Sequence, residues 1–125
     1  MSDIDVQSFL ECNEALHLDS AKIANKLIGK WELKSWYCGE CSNPGTHNSD
    51  KVIFATFTSA GDFSVTEDSI IVSEGKWNLV GSNTWRLQSD SSLNHLYGMI
   101  LFCNNEVLFN DSYTDGTDNL FERIN

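Results

Sequence analysis

The spacing of apolar residues along this chain changes once, near Gly29. Ahead of it Val6, Phe9, Leu10, Ala15 and Leu16 recur at roughly helical intervals, and Asp19-Ser20 supplies N-cap residues for AKIANKLI. The spacing predicts a helical stretch from Val6 to Leu16 and a second over Ser20–Ile28, stopped by Gly29. Beyond Gly29 come short runs rich in aromatic and β-branched residues, parted by Gly, Asn, Asp and Ser. They predict eight strands, at 30–38, 51–58, 62–67, 70–79, 84–88, 96–103, 106–113 and 119–124.

The joints between these runs are short. Ser59-Ala60-Gly61-Asp62, Gly81-Ser82-Asn83, Asn104-Asn105 and Thr114-Asp115-Gly116-Thr117 are turn sequences. Parallel strands need crossovers of about a dozen residues, so the pattern predicts an antiparallel meander. In the first strand, alternation puts Trp31, Leu33, Ser35 and Tyr37 on one face and Glu32 and Lys34 on the other. YGMILFC is apolar on both faces and needs a cover on one of them. Closing eight short strands into an up-and-down barrel removes both bare edges and encloses either a packed core or one small ligand. The expected organisation is an N-terminal helical segment, 1–28, packing on a barrel formed by 29–125.

One phrase occurs twice, GKWEL at Gly29–Leu33 and GKWNL at Gly75–Leu79. In a barrel each copy starts or restarts a strand. The glycine turns the chain, the lysine faces solvent and the tryptophan points inward, with Gly75 expected at a bulge or kink. A helical turn leading into LIGKWEL, the FTSAGDFSV and EGKWNLVGSNTWRL hairpins and closing strands ending in FERIN resemble the lipocalin-like domains of the calycin group. The matching stretches run from Ile23 to Asn125, and the compact bacterial members are the most similar. NDSYTDG is a poor match to the loop motif of the larger transporters, and the strands here are shorter. The resemblance implies an arginine of the last strand, Arg123, lying across Trp31 to plug one barrel end. Antiparallel closure also puts Arg123 near Trp31, where a cation over an indole contributes about 0.5–2 kcal/mol.

Charge and cysteines narrow the function classes. Eighteen acids against eight bases give a net charge of −10. Such a field repels phosphate backbones and anionic lipid, so nucleic-acid binding is disfavoured, and no apolar run is long enough for membrane insertion. The first twenty residues carry acids where a secretion signal has bases, so a cytoplasmic location is expected, and with it reduced thiols at Cys12, Cys38, Cys41 and Cys103. Cys38-Gly-Glu-Cys41 has the spacing of a redox dithiol or half a zinc site, with His47 and Cys12 to complete it. SNPGTH cannot start the helix a redox motif needs, and two loop thiols, paired only under oxidising conditions, is the preferred reading. No metal and no cofactor are expected.

No catalytic constellation emerges. His17, His47 and His95 lack a carboxylate at a telling spacing. Glu67-Asp68 and Asp115 with Asp118 fall in turns as solvated acids, and no glycine-rich phosphate loop exists. The protein is therefore expected to be no enzyme. The interior residues Leu33, Ala55, Phe57, Trp77, Trp85, Phe109 and Phe121 are the candidate site for a small apolar ligand. The entrance is expected opposite the Trp31–Arg123 plug, among the turns that include the long Cys38–Asp50 loop. The alternatives are a protein-binding module resembling the calycin-like protease inhibitors, which would present that loop to a protein partner, and a solid barrel scaffold.

Overall fold

The computed structural model describes residues 4–39, 41–112 and 116–124. Two helices, α1 (Val6–Ala15) and α2 (Ser20–Leu27), precede nine strands: β1 (Gly29–Cys38), β2 (Gly45–Asn48), β3 (Ile53–Phe57), β4 (Asp62–Glu67), β5 (Ile70–Gly81), β6 (Trp85–Ser89), β7 (Met99–Cys103), β8 (Glu106–Asn110) and β9 (Thr117–Arg123). Asp5 and Asp19 cap the helices, each carboxylate accepting the N–H three residues on. Every predicted strand forms. The addition is β2, drawn from the long loop and paired with the far half of β1. Glu40, Tyr113 and the Thr114-Asp115 part of the last predicted turn lie outside the described residues.

The sheet runs β6-β5-β4-β3-β1-β9-β8-β7, with every neighbour antiparallel. This is the expected up-and-down barrel, closed where β9 returns to β1 and left open between β6 and β7. α1 protects the bare β7 margin: the Asn13 side chain accepts the Phe102 N–H at 2.9 Å. Phe9 of α1 also joins Leu101 and Leu108 on the outer face, covering the strand that is apolar on both sides.

Large buried side chains fill much of the interior. Trp31, Phe57, Phe109 and Phe121 are among its fully buried side chains. Phe109 and Phe121 meet edge-on at 5.7 Å, and Phe57 meets Trp77 edge-on at 5.5 Å. Their burial is the main stabilising term in a domain this small.

Two bulges depart from simple alternation. One lies in β5, opposite Val65/Thr66, rather than at Gly75. Gly75 instead sits where β5 passes from pairing with β4 to pairing with β6. A Cβ there would fall 2.6–2.7 Å from Ser91 and Asp90 oxygens. The other bulge, between Leu33 and Ser35 against β9, inverts the rest of β1. Trp36, not Ser35 or Tyr37, therefore continues the inward face beyond Leu33.

All four cysteines are paired, Cys12 with Cys103 and Cys38 with Cys41. The expectation of reduced thiols is thereby corrected. It rested on the acids among the first twenty residues, whereas folding brings α1 onto the end of β7 and sets Cys12 against Cys103.

Candidate functional site: a cleft beneath the second helix

The start of β1 closes one end of the barrel. Trp31 stands opposite Arg123 in register, with the guanidinium carbon 4.3 Å from the ring centroid. Arg123 donates to the carbonyls of Ile28 (2.9 Å) and Lys26, and Trp31 Nε1 donates to Leu27 O (2.9 Å). Carbonyls that end α2 without intrahelical partners are thus capped by the plug, which fixes the helix over this end.

At the same end the sheet leaves a cleft of about 770 Å³ between α2 and the β5–β6 hairpin. Its helical wall is Ala21, Ala24, Asn25 and Ile28, an i, i+3, i+4, i+7 stripe, with Ser20 and Lys22 beside it. Trp77, Leu79 and Trp85 form the opposite wall; they pack against the core yet stay only partly buried. The reason is topological: among the described residues β6 pairs only with β5, so the sheet ends at this hairpin and leaves its inner face partly uncovered. Trp77 Nε1 is buried and has no hydrogen-bond partner among the described residues, a state that typically costs about 1–3 kcal/mol.

The candidate ligand residues from the sequence do not form one site. Trp77 and Trp85 share this cleft. Ala55, Phe57, Phe109 and Phe121 are sealed in the core. Leu33 reaches a separate chamber of about 370 Å³ at the opposite end, with Trp36, Ile53, His95 and Asn119. The expected entrance opposite the plug is thus only this smaller chamber; the roomier opening lies at the plugged end. Sequence reasoning missed the α2 stripe, whose small side chains at helical spacing were the available signal.

The far chamber holds a hydrogen-bonded cluster around Glu67 that sequence spacing concealed. His95 Nε2 lies 2.8 Å from Glu67 Oε2, and Lys51 Nζ lies 3.2 Å from Oε1. Glu67 is therefore not a solvated turn acid. The His95 hydrogen bond, then Lys51, hold its carboxyl below the ordinary carboxylate value of 4.5 against the opposing cost of burial. A depressed folded value stabilises the fold above pH 4.5 and loses that contribution as pH falls through the folded value. His95→Ala should therefore raise the Glu67 titration midpoint toward the ordinary value and weaken this acid-side dependence. An NMR titration of the Glu67 side chain checks it, and an unmoved midpoint would sink the assignment.

The remaining candidates serve the fold. Asp118, expected in solvent, is 1% exposed, and its carboxylate accepts Asn110 Nδ2, the Asp111 and Ser112 N–H groups and Ser112 Oγ at 2.8–2.9 Å. Asp115, its proposed companion, lies outside the described residues. The four residues weighed for zinc are otherwise engaged: Cys12 is bonded to Cys103 and Cys38 to Cys41, and His47 lies tilted against Trp36 and contacts Asn43 O at 2.7 Å. Among the described residues no group of three metal-ligating side chains gathers, and no helix is long and apolar enough to cross a membrane.

Comparison with protein-family models, curated proteins and solved structures finds no match for this chain.

Proposed function

We propose that this protein is a non-enzymatic, lipocalin-like binding barrel that takes a small, largely apolar ligand in the cleft between α2 and the β5–β6 hairpin. The observation that carries this reading is the pair of inward-facing tryptophans, Trp77 and Trp85, left partly uncovered over about 770 Å³. Partly buried aromatic walls beside a rigid core suit an apolar guest, which would complete their burial.

The neutral fluorophore N-phenyl-1-naphthylamine tests it. Saturable binding near one equivalent is expected. Ala24→Trp, which fills the cleft from the helix side, should weaken binding by about tenfold or more while circular dichroism stays unchanged. An absence of saturable binding in the parent, or equal affinity in Ala24→Trp, overturns the reading.

A second reading, a protein-binding loop of the inhibitor type, draws on residues 41–44. These are exposed and held between the Cys38–Cys41 bond and the β1–β2 hairpin. Inhibition of a protease panel, abolished by changes in 41–44 and untouched by Ala24→Trp, would favour it.

A further inference from the structure

Resting on the cleft reading above, we infer that the preferred guest is an aromatic monoanion, a flat ring system carrying one carboxylate, with Lys22 as the partner of its charged group. Thirteen residues line the cleft, and none is acidic in a chain that has eighteen acids. The single charge on the lining is Lys22. Among the described residues it forms no ion pair.

The acids next to the lining in sequence are already engaged. Asp19 accepts the Lys22 backbone N–H at 2.9 Å, and Asp62 lies 2.6 Å from the Lys76 ammonium. The other polar groups on the lining, the Asn25 and Asn78 amides and the Ser20, Thr58 and Ser59 hydroxyls, can each donate or accept, so Lys22 alone sets the sign of a charged guest. One cation among neutral polar groups on an apolar cleft suits a negatively charged head.

The tryptophans set the body of the guest. Planar indole walls favour a planar ring, which offset or edge-on contact rewards beyond simple burial. Global charge sets the valence. A field of −10 opposes every anion, and a dianion such as a phosphate monoester twice as strongly as a carboxylate. The same field, and the indole faces, would favour a cation. The absence of any lining carboxylate argues against one, since an ammonium would lose water without gaining a counter-charge.

Calorimetric titration with three probes of one shape decides this: 2-naphthoate, 2-naphthylmethanol and protonated 2-naphthylmethylamine. At low salt the acid should bind about three- to fivefold more tightly than the alcohol, as for a partly exposed ion pair. Added salt should shrink that advantage. Lys22→Gln should bring the ratio of acid to alcohol affinity to about one, a ratio that only a folded variant still able to bind the alcohol can report. Equal binding of acid and alcohol to the parent, tighter binding of the amine, or a ratio that survives Lys22→Gln overturns the charge assignment and leaves the cleft reading standing. Binding of none of the three overturns both.

Discussion

Cys12→Ser should lower the stability of this protein by about 4 kcal/mol under non-reducing conditions, because the bond to Cys103 closes a sequence separation of 91 residues. The lost constraint acts mainly on the unfolded chain, whose loop entropy the bond removes. A native-state effect adds to it, since the bond holds α1 over the bare margin of β7, where Asn13 caps Phe102 N–H. Cys41→Ser gives the contrast. Its bond to Cys38 spans a sequence separation of 3 and restrains little of the unfolded chain. Urea denaturation of the two variants should separate them clearly. Intact mass under non-reducing conditions should register the loss of all four thiol hydrogens from the parent. Equal midpoints for parent and Cys12→Ser, or alkylation of native thiols, would rule the bond out.

Phe121→Ala should cost about 3–5 kcal/mol. Phe121 is 0% exposed and lies edge-on to Phe109, so truncation leaves a void that rigid neighbours on β8 and β1 cannot fill. The same variant bears on function. The cleft lies beside the core, not within it, so the folded fraction of Phe121→Ala should retain its affinity for N-phenyl-1-naphthylamine within about twofold. A fold that barely notices the change would mean the interior is not packed. A well-folded variant that loses the probe would move the binding site into the barrel, where the apolar pattern of the sequence placed it.

Local chemistry determined much of this molecule in advance. The switch from helical spacing to alternating runs at Gly29, the turn residues between strands and the capping aspartates are short-range signals, and the helices and eight of the strands follow them. Antiparallel order followed because the joints were too short for crossovers. The meeting of Trp31 with Arg123 followed from closure, since the last strand can only return beside the first.

Tertiary structure alone decided what depends on residues far apart in the chain. The extra residue at Lys34 in β1, which turns Trp36 inward, reflects the mismatch of β1 against β9 and leaves no mark in the residues around it. His95 finds Glu67 across 28 positions, a pairing that no local spacing encodes. Cys12 and Cys103 pair because α1 docks on the apolar outer face of β7, a packing event and not a motif, whereas Cys38 and Cys41 lie only three positions apart. The cleft exists because, among the described residues, β6 pairs only with β5, so Trp77 and Trp85 keep inward positions without full burial. Alternation fixes the face of the sheet on which a side chain stands. How much of that face is covered is settled only by which strands become neighbours.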